Sequence, residues 1–190
     1  MTKKRIYLSI LILGFCILWI YLFFYKNYSN AGIFKNVTER DGYTLNLIKD
    51  KEAVEFYIKP EWILINGDSE KKYALELTSN NNTNIMLDNV LNRGDDIYFN
   101  FETTYNMNYH KGSFMYNLVI NENGSFTSFS SHTDYYFYNN NHEIIDVGHQ
   151  TGQGPGSSFG FAIDSEDYDL IKDGFYVSYS GFHLYEYYKN

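Results

Sequence analysis

The longest hydrophobic stretch of the chain is an unbroken apolar run at residues 6–25, directly preceded by Lys3, Lys4 and Arg5. An α-helix rises about 1.5 Å per residue, so a run of this length spans about 30 Å, the thickness of the hydrocarbon core of a bilayer. A buried helix of a soluble protein would show a polar stripe, and this run has none. The pattern therefore predicts a basic tail at residues 1–5 and one transmembrane helix at residues 6–25.

The segment has three alternative fates: a permanent anchor, a signal peptide cleaved after Ala31, or a lipoprotein leader modified at Cys16. Its apolar run is longer than the roughly 7–15 residues of a cleavable signal peptide. Phe15 is bulky at a position where a lipoprotein leader has a small residue. Both observations favour the permanent anchor.

The charges beside the run predict its orientation. Cationic flanks resist translocation, so residues 1–5 are expected in the cytoplasm. Trp19, Tyr21 and Tyr25 lie toward the other end of the run, where aromatic rings favour the headgroup region. We therefore expect a single-pass protein of the cell membrane, with a linker at residues 26–36 and a domain outside the cytoplasm at residues 37–190.

Within that domain the dominant hydrophobic period is two, the period of a half-buried strand. Apolar side chains alternate with others at residues 43–47, 54–58, 73–77, 97–101, 114–120 and 175–179, and residues 159–163 also resemble a strand. Short helices are predicted at residues 85–91 and 166–172. The fold predicted is therefore all-β: an antiparallel β-sandwich, or a partly open barrel, after a single transmembrane α-helix.

Turn-forming residues separate these strands. They are Asn66-Gly67-Asp68, Arg93-Gly94-Asp95, Asn123-Gly124, Asn139-Asn140-Asn141 and Asp173-Gly174. Gly and Asn tolerate the positive φ that tight turns require. Their positions at the breaks in the alternating pattern support a fold of many short antiparallel strands.

Charge and cysteine content limit the partners and the source. The net charge is −8, and residues 1–26 carry four basic groups and no acidic group, so the remainder carries about −12. Such a domain is a poor ligand for nucleic acid, and it is compatible with cationic partners. The one cysteine, Cys16, lies in the apolar run, so the domain has no disulfide. An exported domain without disulfides is typical of a bacterial surface protein.

The chain has 20 Tyr, 15 Phe and 2 Trp. Tyr57, Tyr98 and Tyr176 fall on the strand register opposite to the predicted core. Such tyrosines pair across strands, or they stack on sugars and dock protein partners, because the ring is apolar and the hydroxyl polar.

The Gly-rich segment at residues 148–158 is predicted as a loop between strands, with a binding loop as the alternative. It lacks the Lys and the following helix of a phosphate-binding loop. His142, Glu143, Asp146 and His149 precede or begin it, without the ligand spacing of a zinc site. A Ser157, His149 and Asp146 triad lacks the sequence context of a nucleophile.

An acidic cluster follows, formed by Asp164, Glu166, Asp167 and Asp169. It lacks the Gly and Glu positions of an EF-hand, so a solvated loop or helix N-terminus is the expected interpretation, with a Ca²⁺ site as the alternative. The sequence therefore predicts no cofactor and assigns no catalytic, cofactor-binding or metal-binding residue.

These patterns favour a non-enzymatic, membrane-anchored extracytoplasmic binding module. The expected partner is a protein or an envelope polymer, and an anchored immunity protein that neutralises a toxin is one such role. Two alternatives are an envelope enzyme such as a glycan hydrolase, with Glu143 and Asp146 as acid and base, and a structural subunit of a membrane complex. The side with the Gly-rich segment and nearby tyrosines is the predicted interaction surface.

Overall fold

The computed structural model describes residues 3–65, 69–128, 132–154 and 156–190. The predicted turn at Asn66-Gly67-Asp68 and the Pro155 position of the Gly-rich segment lie outside the described residues. Most of the described chain forms antiparallel sheets behind an N-terminal helix, and the sheets form a sandwich rather than a closed barrel. The predicted all-β fold class is confirmed.

Helix α1 (Lys3–Tyr28) contains the predicted apolar run. Among the described residues it is the one helix long and apolar enough to cross a membrane, over Ile10–Tyr28, and none of that stretch is buried. Apolar side chains surround the helix, so it has no single face for packing against the domain.

The segment at residues 26–36, predicted as a linker, is helical. Helix α1 continues to Tyr28, and a second helix α2 (Asn30–Thr38) follows after Ser29. The Ser29 hydroxyl accepts a hydrogen bond from the backbone N–H of Gly32 at 3.0 Å, which is an N-cap. Ile33 and Val37, one turn apart, are buried. The folded domain therefore begins at α2, earlier than the predicted residue 37.

Two sheets form the sandwich. The strands are β1 (Tyr43–Ile58), β2 (Glu70–Asn80), β3 (Thr83–Asn92), β4 (Asp96–Tyr105), β5 (Lys111–Tyr116), β6 (Val119–Ile120), β7 (Phe126–Thr127), β8 (Tyr135–Tyr138), β9 (His149–Gln153), β10 (Phe159–Asp164) and β11 (Phe175–Lys189). Sheet A has the order β1-β11-β5, with β8 also paired to β11, and sheet B has the order β2-β3-β4-β10-β9. Strands β6 and β7 form a small separate hairpin.

The sandwich core lies between the two sheets and follows the predicted alternation. Its strand residues include Val54, Phe56, Ile58, Ile85, Leu87, Val90, Ile97, Phe99, Phe101, Tyr135, Phe137, Phe159, Phe161, Ile163, Phe175, Val177 and Tyr179. Aromatic rings from opposite sheets meet there, as in the 5.0 Å contact between the rings of Phe56 and Phe101. Burial of these side chains is the main stabilising term of the fold.

The long strand β11 exchanges its two faces at Gly181. Val177 and Tyr179 lie in the sandwich core before this point, and Phe182 lies there after it. Tyr185 instead lies in a second cluster, the α2 core, on the other side of the sheet. The pairing with β1 shifts register at the same place. Because strand side chains alternate, one inserted residue exchanges inner and outer faces.

The α2 core joins α2 to one half of sheet A. Its members are Ile33, Val37, Tyr43, Leu45, Met107, Phe114, Tyr116, Leu118, Ile120, Tyr185 and Tyr187. Helix α2 therefore covers the outer face of sheet A near the end of α1. The outer face of the other half of sheet A is not covered by this helix.

Several details of the sequence prediction are wrong. Residues 85–91 are part of strand β3 and not a helix. Leu47 and Leu75, placed in the core by alternation, are 47% and 38% exposed. Ala74 has a positive φ of 55°, and the register of β2 shifts there, which turns Leu75 outward.

Other local predictions are confirmed. Residues 166–172 are largely helical, as a 3-10 turn at Ser165–Asp167 followed by α3 (Tyr168–Ile171). Gly94, Gly124 and Gly174 have φ between 77° and 94° at their predicted turns. Tyr98 on the opposite register is half-buried, and burial raises its pKa.

Candidate functional site

The half of the outer face of sheet A that α2 leaves uncovered is rich in tyrosine. We call it the tyrosine face. It comprises Glu55 and Tyr57 of β1, Tyr136 and Tyr138 of β8, Tyr176 and Ser178 of β11, and His142 and Ile144 from the segment after β8. All eight side chains are exposed or half-buried. Tyr57 and Tyr176 of the predicted solvent-facing register lie on this face, whereas the Gly-rich segment contributes strand β9 to sheet B.

Three tyrosines form a row across three neighbouring strands. Tyr176 of β11 pairs with Tyr57 on one side and with Tyr138 on the other. The ring centroids of Tyr57 and Tyr176 are 4.7 Å apart. The imidazole of His142 stacks on Tyr176 at 4.3 Å, from a turn position with a φ of 57°. The expectation that Tyr57 and Tyr176 pair across strands is therefore met, and the row still has solvent-accessible edges.

The most exposed apolar side chains of this face lie beside the row. Tyr136 is 49% exposed and Ile144 is 70% exposed. Both line a shallow cavity of about 290 Å³, together with the neighbouring segment that contains Asp146 and His149. An exposed isoleucine next to a tyrosine in a concave site is a favourable anchor for a partner.

A charged cleft continues the same face toward the middle of sheet A. The charged cleft has a volume of about 220 Å³ and is lined by Asp50, Lys51, Val119, Asp134, Gly181 and His183. It lies where the β1–β11 pairing is irregular. The hydroxyl of Ser180 donates to the Asp134 carbonyl at 3.3 Å, which joins this cleft to β11.

One ion pair and one histidine–carboxylate contact organise the charged cleft. The Lys51 ammonium donates to Asp134 at 2.6 Å, and this hydrogen bond raises the pKa of Lys51 above its ordinary value. The Asp134 side chain is only 3% exposed. His183 Nδ1 lies 3.1 Å from Asp50 Oδ1. The nearly buried Asp134 carboxylate and the solvated Lys51 ammonium therefore form a hydrogen-bonded charge pair at this cleft.

The Gly-rich segment is more regular than predicted. Residues His149–Gln153 form the edge strand β9, paired to β10. The backbone N–H of Gly148 donates to the Asp167 carboxylate at 2.7 Å, which ties this segment to the acidic cluster. Strand β9 is the last strand in the order of sheet B.

The Ser157, His149 and Asp146 triad considered from the sequence does not assemble. The Ser157 hydroxyl donates to the Thr103 carbonyl at 3.3 Å, and His149 Nδ1 lies 3.1 Å from the Val147 carbonyl. Glu143, which the glycan-hydrolase alternative pairs with Asp146, accepts a hydrogen bond from Asn139 at 2.8 Å. Among the described residues, Asp146 lines the shallow cavity and Glu143 does not.

The acidic cluster is divided among separate contacts. Asp169 pairs with Lys172 at 2.8 Å, whereas Asp167 binds the Gly148 amide. Over the described ranges, no group of three or more His, Cys, Asp and Glu side chains is arranged to hold a metal ion. The Arg93-Gly94-Asp95 turn is closed by a two-point hydrogen bond from Arg93 to Asp96.

Sequence reasoning missed the charged cleft and strand β8. Asp50 and His183 are 133 positions apart, and Lys51 and Asp134 are 83 apart, so no local motif links them. The dense aromatic run of β8 was a usable signal, because alternation within it separates Tyr136 and Tyr138 from the buried Tyr135 and Phe137.

Comparison with protein-family models, with curated proteins and with solved structures found no match to this chain.

Proposed function

We propose that this chain is a single-pass, membrane-anchored binding module that engages an extracytoplasmic partner through its tyrosine face. The exposed apolar surface of α1 supports membrane insertion. The basic residues at positions 3–5 favour a cytoplasmic amino terminus. The absence of cysteine from residues 17–190 agrees with a bacterial surface location.

The observation that carries the binding role is the concentration of accessible tyrosine and isoleucine on the uncovered half of sheet A. Tyr136 and Ile144 are exposed beside the Tyr57–Tyr176–Tyr138 row, although α2 covers the equivalent face of the other half. Aromatic side chains on a concave surface are enriched among residues that dominate binding energy.

The charge around this face favours a protein partner with a basic surface. Glu55 lies in the same cross-strand row as Tyr136, through Ser178, and Asp173 adjoins Tyr57. No basic side chain among those described lies within salt-bridge distance of Glu55, Glu143 or Asp173. Carboxylates without a salt-bridge partner around an apolar centre steer a basic partner and disfavour pairing of two copies of this face. A toxin neutralised by an anchored immunity protein is one partner of this kind.

Photo-cross-linking in the native membrane tests this role. A photoreactive residue replaces Ile144. In the matched control it replaces Leu75, which is also apolar and exposed but lies on β2. We expect a protein adduct from position 144 that is absent from position 75 and is reduced by Glu55→Lys with Asp173→Lys. An adduct that glycan hydrolases destroy would instead identify the partner as an envelope polymer and not a protein. Equal adducts at both positions would contradict a specific binding face.

Topology is tested separately. A carboxy-terminal alkaline phosphatase fusion is expected to be active, because its disulfides form outside the cytoplasm. An inactive but intact fusion would contradict the proposed orientation.

An envelope glycan hydrolase is the second candidate function, favoured by the charged cleft. Asp50, Asp134 and His183 place two carboxylates and an imidazole around one cavity. This candidate predicts hydrolysis of purified cell-wall glycan by the full chain and its loss in Asp134→Asn. Unchanged glycan after incubation with the wild-type chain would exclude it.

A further inference from the structure

The junction between α1 and the domain is tightly packed. Asn36 Nδ2 donates to the Lys26 carbonyl at 3.3 Å, from α2 back to the last turn of α1. A Cβ added at Gly32 would lie 2.2 Å from the same Lys26 carbonyl oxygen, so glycine allows the two helices this close approach. The anchor is therefore joined to the domain without a flexible spacer.

A second contact fixes the domain beside the end of α1. The ring of Tyr28, the last residue of α1, stacks on the ring of Tyr109 with centroids 4.6 Å apart. The Tyr43 hydroxyl donates to the Tyr109 carbonyl at 2.8 Å, which ties this loop to β1. The loop before β5 thus lies at the level of the last turn of α1.

A lysine is held between the rings of this region. The Lys189 ammonium lies 4.1 Å from the ring centroid of Tyr109 and 4.7 Å from that of Tyr43. These cation–π contacts orient the end of β11 toward α1. His110, next along the same loop, and Lys111, the first residue of β5, are exposed.

The depth of these groups follows from the anchor. The apolar span of α1 ends at Tyr28, so Tyr28 lies at the outer boundary of the hydrocarbon region if α1 is inserted. Tyr109 and Lys189 adjoin Tyr28 and therefore lie at headgroup depth. Tyrosine rings favour that layer, and lysine ammonium groups pair with the phosphates there.

We infer that Tyr28, Tyr109, Lys111 and Lys189 form a lipid-headgroup contact surface that seats the domain against the outer leaflet, with anionic phosphates as its ligands. This inference rests on the membrane insertion proposed above. It also places the tyrosine face at the far end of β1, because the 14 positions from Tyr43 to Tyr57 extend about 45 Å along the strand.

Fluorescence quenching in lipid nanodiscs tests the surface. The full chain, with Cys16→Ala, carries one environment-sensitive fluorophore on His110→Cys or, as the control, on Ile144→Cys. The discs contain phosphatidylcholine and phosphatidylglycerol, with a nitroxide quencher attached to the headgroup. We expect roughly threefold stronger quenching at position 110, because position 144 adjoins the distant end of sheet A. We also expect Lys189→Glu with Lys111→Glu to reduce quenching at position 110, with an unchanged circular dichroism spectrum.

The outcomes separate this inference from the proposed anchor. A chain that does not co-elute with the discs overturns the membrane anchor and with it the basis of the contact surface. A chain that co-elutes but is quenched equally at positions 110 and 144 overturns the seated orientation alone. Quenching at position 110 that is unaffected by both charge reversals overturns the lysine–phosphate contact.

Discussion

The Lys51 ammonium lies 2.6 Å from the carboxylate of Asp134, yet their side chains are 64% and 3% exposed. The lysine therefore reaches from solvent to a carboxylate that the fold has removed from water. A buried charge without its partner is unfavourable, so this contact matters more than an ordinary surface ion pair.

Lys51→Met is expected to lower the free energy of unfolding by about 1–2 kcal/mol, below the loss for a fully buried pair because Lys51 is solvated. Urea unfolding of the full chain in detergent, followed by tryptophan fluorescence, measures the change. Lys49→Met is the matched control, because Lys49 pairs with Glu52 at 2.7 Å on the same strand, where the Glu52 side chain is 18% exposed. An equal effect of both substitutions would argue against a special role for the burial of Asp134.

Gly181→Ala is expected to destabilise the domain by about 1–3 kcal/mol through overpacking. A Cβ at this position would lie 2.3 Å from the Tyr179 hydroxyl, at the place where β11 exchanges its faces. The control is Gly152→Ala on β9, where the nearest atom is the Tyr98 hydroxyl at 3.5 Å. Thermal unfolding of both variants provides the comparison, and similar melting temperatures would contradict a tight fit at Gly181.

The buried tyrosines are expected to make the domain sensitive to alkali. Burial raises the pKa of Tyr179 to about 12 and also raises the pKa of Tyr135 and Tyr105, whereas an unfolded tyrosine has a pKa of about 10. Because the pKa of these tyrosines is higher in the folded state than in the unfolded state, their contribution to stability is complete below a pH of about 10. This contribution is lost as the pH rises toward 12.

Absorbance at 295 nm and circular dichroism, recorded together during titration, check this sign. Exposed tyrosines should ionise first with the fold intact, and the buried group should ionise only as the ellipticity changes. Ionisation of all 20 tyrosines near pH of about 10 without unfolding would contradict the burial of this group.

Where the hydrophobic alternation along the chain is uninterrupted, it predicted the strand and its buried side chains correctly. Residues 97–101 alternate without a break, and Ile97, Phe99 and Phe101 are fully buried as expected. Strand β3 was missed because a register shift after Leu87 moves the next buried position to Val90, and the resulting spacing of apolar residues imitates a helix.

The candidate site was only partly predictable. Exposed tyrosines follow from strand alternation, so Tyr57 and Tyr176 were identified from sequence. The row with Tyr138 requires the pairing of β8 to β11, and the charged cleft requires the irregularity at Gly181. Both depend on contacts between distant segments, which local periodicity does not encode.

The most direct test of the central claim is the affinity of the cross-linked partner for two matched tyrosine variants. Tyr136 on the tyrosine face and Tyr188 near the anchor end of β11 are 49% and 46% exposed, so truncation of each removes similar accessible surface. By titration of the full chain in nanodiscs, we expect Tyr136→Ser to weaken binding at least about tenfold and Tyr188→Ser to leave it within about twofold. Equal dissociation constants for the two variants would contradict binding through the tyrosine face.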